Sequence, residues 1–323
     1  MFKDGIQINQ SMGQMNINKK NTITNESLKA EVQSVKIKIE KALENSLPNE
    51  NTWPVKLHKA QRHALLSPGK RFRPLLCYFV ASGLGKEDEA VILVGCVAEM
   101  VHAASLILDD LPCMDDADMR RNQPSTHIEF DESTAILSAT ALLNQAFSVI
   151  SKLNNVTDLT KVMLVDLLSH TVGSNGLIAG QIADLSNNSS ATTLKDVEEL
   201  NTLKTGALFD FSIESAAILS NASEVKKKHL KEFSRYLGLA FQLMDDVKDK
   251  LMSQEVAEKS INRDLGKATI LAIKGSSLSM EILSNYLKKS KESLIMANLS
   301  NLGAFDVLFE SQFSFLKTYQ KIK

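Results

Sequence analysis

Apolar residues recur at three- and four-residue intervals through residues 28–46, 56–66, 72–83, 88–110, 132–153, 158–185, 194–220, 224–250 and 279–318. That spacing lines one face of a helix, and no sustained two-residue alternation competes with it. The links carry helix breakers, as in Ser67-Pro68-Gly69, Gly83-Leu84-Gly85 and Asn122-Gln123-Pro124. All 6 prolines lie at or before Pro124, so the later chain holds no residue that forces a helix to stop or kink. The pattern predicts an all-α fold, a single domain of mostly antiparallel helices over 28–323. Residues 1–27 are rich in Asn, Lys, Gln and Thr and lack the basic-then-apolar layout of a signal peptide; they read as a flexible polar tail.

Composition narrows the function classes. At 323 residues and 44% hydrophobic, the chain can bury a large core, while a net charge of −1 argues against an extended nucleic-acid surface. Its 3 cysteines, Cys77, Cys96 and Cys113, have no CxxC spacing, which indicates neither a disulfide framework nor a zinc site and fits a cytoplasmic protein. Residues 91–108 have the length of a minimal membrane span. Glu99 and His102 interrupt them and Asp109 follows, so a buried core helix is the expectation and no membrane span.

Two acidic clusters carry the chemistry. Asp109, Asp110, Asp115, Asp116 and Asp118 follow one apolar run, and Asp245, Asp246 and Asp249 lie within another. On a helix, Asp109 and Asp115 would stand nearly two turns apart and could coordinate from one side; Gln242, Asp245 and Asp249 fall on one stripe. Either cluster alone also fits a solvated face. Together they favour cations, and oxygen-only donors without His or Cys suit Mg²⁺. Gly69-Lys70-Arg71-Phe72-Arg73-Pro74 offers fixed positive charge for phosphate, although short basic runs at helix starts are commonly just solvated. Lys204-Thr205-Gly206, Lys259 and Lys267 are similarly ambiguous. His102 lies on the Asp109 face of its helix and is either a site residue or a satisfied core histidine.

In their order, these strings resemble the trans-type isoprenyl diphosphate synthases of the polyprenyl synthetase family. The matching strings are Gly69 to Pro74, Ser105 to Asp116 with Arg120-Arg121, Gly180-Gln181 with Asp184, Leu203 to Leu208, Phe241 to Asp249, and Asp264 to Thr269. The stretch His102 to Asp110 is most similar to bacterial geranylgeranyl diphosphate synthases. The resemblance implies helices around a central cavity, a homodimer, and condensation of isopentenyl diphosphate with an allylic diphosphate using three Mg²⁺. It implies that Asp109, Asp110 and Asp115 hold metal from one wall and Asp245, Asp246 and Asp249 from the other. By the same resemblance, Arg120, Lys204, Lys259 and Lys267 neutralise the allylic diphosphate, and Gly69, Lys70, Arg73, His102 and Arg121 form the isopentenyl diphosphate pocket. Thr205 and Gln242 would stand near the developing carbocation.

The family pattern also places a chain-length determinant five residues before the first aspartate, here Ala104. If this small residue leaves the cavity open, Val101 and Met100, about one turn (5.4 Å) deeper, become the stops, and a C20 product is expected over C15. Pro68 and Asn122 depart from the commoner glycines, and Lys248 stands inside the second acidic motif. A terpene cyclase is the rival enzyme class, disfavoured by the second aspartate cluster and the basic string; a non-catalytic subunit is disfavoured by both clusters being intact.

Overall fold

A computed structural model describes residues 24–186, 193–255, 269–314 and 316. Its helices are α1 (Asn25–Asn45), α2 (Val55–Leu65), α3 (Phe72–Gly83), α4 (Glu89–Asp109), α5 (Thr126–Glu129), α6 (Glu132–Ser151), α7 (Asp158–Val172), α8 (Leu177–Leu185), α9 (Leu194–Asn201), α10 (Ala207–Leu219), α11 (Glu224–Glu255), α12 (Ile270–Met296) and α13 (Leu302–Gln312). A π-helical turn, Thr202–Gly206, joins α9 to α10, and a small antiparallel hairpin pairs β1 (Met119–Arg120) with β2 (Gln123–Pro124). The all-α expectation holds.

Local chemistry sets the helix starts. Side chains of Thr24, Asp88, Asp131, Thr157 and Thr269 accept a first-turn backbone N–H, and Thr193 with Asp196 forms a reciprocal capping box at α9. Each such cap contributes about 1 kcal/mol. Helix α3 is buried over its whole length and lies among α1, α4, α10 and α13; α4 is flanked by α1, α2, α3, α6 and α10. Helices apolar on all sides must be enclosed, so these two form the centre of the core. The ends of α3 and α4 carry the basic string and the first acidic cluster.

Several boundaries differ from the periodicity. Helix α1 begins at Asn25, so residues 25–27, expected in the tail, are helical; residues 1–23 lie outside the described residues. The stretch 158–185 divides into α7 and α8 at Gly173 to Gly176, where the Gly173 N–H donates to the Ser169 carbonyl at 2.9 Å and ends the first helix. The last stretch begins earlier, at Ile270; it is interrupted at Gly275 (φ 72°) and divided after Met296 by Asn298 (φ 51°). Glycine and asparagine reach the left-handed region at low cost and stop helices where no proline is available. The hairpin strands are too short for an alternation to register.

By length and composition α4, α6 and the 158–185 stretch could each cross a membrane. Packing separates them: α4 is enclosed by other helices, whereas Leu137 on α6, Leu159 and Val162 on α7, and Ile178 and Ile182 on α8 remain exposed.

Asp210 on α10 accepts a short hydrogen bond from the Ser234 hydroxyl of α11 and lines a cavity of about 380 Å³ between α7, α10 and α11. Burial pushes its carboxyl up to about 6, with the Ser234 hydrogen bond opposing. The raised folded-state pKa means that the protonated form contributes stability below the unfolded value near 4, and that this contribution fades as pH rises through 6. Asp210→Asn removes the cost of the buried charge. The variant is therefore expected to gain on the order of 2 kcal/mol over the wild type at pH 8 and nothing at pH 4, read from denaturant unfolding at both pH values.

Candidate active site

The first acidic wall is a fold-back loop. Helix α4 ends at Asp109, Asp110 caps it, and Pro112 offers no N–H to extend the helix. The Asp115 N–H donates to the Asp109 carbonyl (2.8 Å), the Ala117 N–H donates to the Asp110 carbonyl (3.1 Å), and Asp116 takes φ 48°. The expected helical path from Asp109 to Asp115 is therefore wrong, because the loop brings these residues back together. Burial pushes the Asp109 carboxyl up to about 6; Lys204 opposes the shift and Asp115 adds to it. Asp110 is buried and gripped by Arg120, whose Nε lies 3.0 and 3.2 Å from its two oxygens and whose Nη2 makes a still shorter contact.

The hairpin fixes both arginines. Its turn residues, Arg121 (φ 53°) and Asn122 (φ 63°), are both left-handed, as a two-residue I′ turn requires. Asparagine tolerates that conformation, so Asn122 serves in place of a glycine. The His63 Nε2 donates to the Pro124 carbonyl (2.8 Å), and the Ser125 N–H donates to the Asp118 carbonyl (2.9 Å), tying the hairpin to α2 and to the acidic loop. A cavity of about 20 Å³, roughly one water, lies beside Asp110, Arg120 and Arg121.

Helix α11 supplies the second wall. Leu243, Met244 and Val247 are buried, while Gln242, Asp245 and Asp246 are half-buried, as the stripe predicts. Burial raises Asp245 above the ordinary carboxylate range, with Lys248 the chief opposing charge. Lys248 Nζ stands 3.4 Å from Asp245 Oδ1, so it pairs with an acidic neighbour. The Asp249 side chain, Lys259 and Lys267 lie outside the described residues.

The π-helical turn links the walls. Lys204 Nζ donates to Asp184 of α8 at 2.5 Å and is the chief positive charge acting on Asp109. Thr205 Oγ1 donates to Gln242 Oε1 at 2.5 Å, and Gln242 Nε2 donates to Asp246 Oδ1 at 2.8 Å. The extra residue of a π turn takes Lys204 and Thr205 out of α-helical register. Gly180 makes this possible: a Cβ there would stand 2.4 Å from the Lys204 nitrogen.

A basic pocket lies at the start of α3. Arg73 is buried, with its guanidinium 4.8 Å from the Phe209 ring centroid and 5.6 Å from that of Phe241, and its Nε has no hydrogen-bond partner. Burial lowers its pKa to about 10, which leaves it charged at neutral pH. His102 keeps a partly accessible edge, but burial first, then Arg73, Arg121, Arg120 and Arg71, hold its pKa well below the ordinary value. Lys70 Nζ donates to the Ser311 carbonyl of α13 at 2.9 Å, and a Cβ on Gly69 would meet Arg71 and Arg121 guanidinium nitrogens at 3.1 and 3.3 Å. Ala104, Val101 and Met100 are all closed within the α4 packing.

Sequence reasoning assigns no role to Glu40, Glu99, Arg71 or Asp184, although three of them carry a visible signal. Glu99 interrupts an apolar run, and a carboxylate there needs a partner; Arg71 and Asp184 stand in matched strings. Among the described residues, no group of three or more His, Cys, Asp or Glu could hold a metal ion by itself. The donors still fit Mg²⁺, which is commonly held by one or two carboxylates together with substrate phosphate oxygens.

Two acidic clusters, a lysine facing the first of them and a cationic, aromatic-lined pocket form an arrangement suited to an anionic ligand such as a diphosphate. The Polyprenyl synthetase family pattern matches residues 54–299. The chain is 40% identical over 261 residues to a geranylgeranyl diphosphate synthase of Pantoea ananas, covering 80% of this chain and 85% of that protein. It is 34% identical over 280 residues to a farnesyl diphosphate synthase of Bacillus subtilis, covering 84% and 92%. The crystal structure of an FPP/GFPP synthase from Zymomonas mobilis matches with a TM-score of 0.78 at 30% identity, covering 90% of this chain and 99% of that one. The chain belongs to the polyprenyl synthetase family. It is a prenyltransferase of the trans-isoprenyl diphosphate synthase class.

Gly180→Ala forces the Lys204 backbone away from α8. The expected outcome is at least about a 100-fold loss of turnover with helical content near native by circular dichroism, since Lys204 and Thr205 would no longer face the two walls together.

Proposed function

We propose that the protein condenses isopentenyl diphosphate with an allylic diphosphate to form geranylgeranyl diphosphate (C20), with farnesyl diphosphate (C15) as the alternative product. The observation that supports this reading best is the π-helical turn, where Lys204 is held by Asp184 and is the chief positive charge acting on Asp109, while the next residue, Thr205, donates to Gln242, which donates in turn to Asp246 of the second wall. Asp109, Asp110 and Asp115 on one side and Asp245, Asp246 and Asp249 on the other would hold three Mg²⁺. Bound Mg²⁺ would neutralise negative charge as it develops on the departing diphosphate.

The chain's own groups divide the remaining work. Lys204 and Arg120 would add fixed positive charge around the leaving group, and the family resemblance assigns the same role to Lys259 and Lys267, which lie outside the described residues. Were Asp110 to hold a metal, the Arg120 guanidinium now paired with it would become available to phosphate oxygens. The oxygens of Thr205 and Gln242 face the allylic cation left behind, and their alignment by one hydrogen bond keeps those dipoles oriented before ionisation. Isopentenyl diphosphate would sit on Gly69, Lys70, Arg73, His102 and Arg121, where the Arg73 Nε lacks an acceptor and His102 stays neutral as a hydrogen-bonding group. Its double bond attacks the cation, and loss of a proton to the departed pyrophosphate restores an alkene. Phe72, Phe209 and Phe241 pack with centroids 5.2 to 6.2 Å apart beside this pocket and keep water from the cation.

Incubation with radiolabelled isopentenyl diphosphate, an allylic primer and Mg²⁺ is expected to give a C20 diphosphate on chromatography, and Ala104→Phe is expected to move the main product toward C15. Asp109→Ala and Asp245→Ala should each reduce turnover at least about 100-fold with helicity retained. A cyclic hydrocarbon formed without isopentenyl diphosphate would overturn the assignment in favour of a cyclase.

The exposed apolar side chains of α6, α7 and α8 are best explained by a second copy of the chain, a homodimer rather than a membrane span. The three free cysteines suit a cytoplasmic location. Wild-type protein is expected to elute at the mass of two chains in size-exclusion chromatography with light scattering, and Leu137→Glu with Val162→Glu at the mass of one; detergent dependence of the wild type would argue for the membrane instead.

A further inference from the structure

Arg71 stands in the middle of the basic string, yet its side chain turns away from solvent. It adopts a left-handed backbone (φ 51°, ψ 38°) at the N-cap of α3, and its side chain has no exposed surface. Its guanidinium makes four hydrogen bonds. Nε and Nη2 donate to the two Glu40 oxygens at 2.9 and 3.1 Å, Nη1 donates to Glu99 Oε1 at 2.8 Å, and Nη2 also donates to the Ser67 carbonyl at 2.8 Å. The same Glu99 oxygen accepts from Arg121 Nη2 at 3.4 Å, and Arg121 Nη1 donates to the Ser67 hydroxyl at 3.2 Å.

Glu40 belongs to α1, which precedes residues 54–299, the part that carries the family pattern. We propose that Glu40 is a positioning residue for the second diphosphate pocket, holding Arg71 so that Lys70, Arg73 and Arg121 converge on one anion. The proposal rests on reading that pocket as the isopentenyl diphosphate site.

The physical argument has two parts. A left-handed backbone is unfavourable for arginine and persists only where surrounding contacts over-determine it; the bidentate Glu40 fork is the largest such contact. Since Lys70 and Arg73 flank Arg71 in the chain, release of that backbone would redirect both. The second part is competition. Glu99 serves Arg71 and Arg121 with a single oxygen, and without Glu40 the buried Arg71 would draw that carboxylate to itself and loosen Arg121. Gly69, pressed against both guanidinium groups, transmits either movement to the backbone that approaches the substrate.

A purely electrostatic role predicts the opposite sign. Removing the Glu40 charge adds net positive potential near the pocket and would tighten anion binding. Positioning therefore predicts weaker binding from the same substitution, and the two are separable by direction alone.

The test is steady-state kinetics of full-length Glu40→Ala and Glu40→Gln with each substrate varied in turn. The expected result is about a tenfold rise in KM for isopentenyl diphosphate, which is 1.4 kcal/mol, with kcat within twofold and KM for the allylic diphosphate unchanged. In an Arg71→Lys background the Glu40 substitutions should add little further, because the effect runs through the Arg71 fork. A fall or no change in KM for isopentenyl diphosphate, or an equal rise for both substrates, overturns the proposal. So does failure of both variants to fold, which would make Glu40 a stability residue. If wild-type protein itself binds no isopentenyl diphosphate by calorimetry, the reading of the pocket fails, and that result is distinct from a wild type that binds normally and a Glu40 variant that matches it.

Discussion

A charge enclosed by apolar helices must have its counter-charge close by, and the architecture of this protein follows from where the chain supplies that partner and where it leaves the position to a ligand. Arg71 is supplied in full, by Glu40, Glu99 and the Ser67 carbonyl. Arg73, two residues on, rests on the faces of Phe209 and Phe241 with its Nε unmatched. Neighbouring arginines in one string thus have opposite status. One builds the pocket and the other is available to what enters it.

The acidic walls show the same division. Asp109 and Asp245 are both pushed upward by burial, which states that the surroundings disfavour their charge as the chain stands. Asp110, no less buried, is already paired with Arg120. On the reading proposed above, a divalent cation arriving with a diphosphate would relieve the first pair and displace the arginine from the second, so that metal and substrate would strengthen each other's binding. Among the described residues, no group of three or more His, Cys, Asp or Glu could hold a metal ion by itself.

Much of this was legible in the sequence because helices announce themselves by spacing. The α4 and α11 runs were visible from apolar periodicity, and their acidic ends from composition. What the spacing did not show depends on tertiary contact. The loop from Asp110 to Ala117 is closed by backbone hydrogen bonds that any residues could make, and the π turn at Thr202–Gly206 exists because Gly180 on another helix lets the Lys204 backbone come close. The breaks at Gly275 and Asn298 rest on left-handed residues, and the one at Gly173 on an extended glycine; single residues of these kinds inside an apolar-periodic run do not interrupt its spacing. Glu99 is the clearest clue left unused: a carboxylate inside an apolar run has to be answered by a cation somewhere, and spacing alone offers no means of choosing Arg71 and Arg121 over other candidates.

Asp210 shows why a shifted carboxyl does not by itself mark an active site. Its pKa is raised to about 6, as is that of Asp109, and burial is the first cause of both. The difference lies in their surroundings. Asp109 shares its loop with Asp110 and Asp115 and faces Lys204, which a π turn has taken out of register and which Asp184 holds in place. Asp210 accepts a hydrogen bond from Ser234 beside the cavity of α7, α10 and α11, where Glu214 adds to its shift and Lys231 and Arg235 oppose it, and it stands outside the matched strings. A raised pKa points to function when other groups are held, at some structural cost, around the same carboxyl, and of these two residues Asp109 is the one so surrounded.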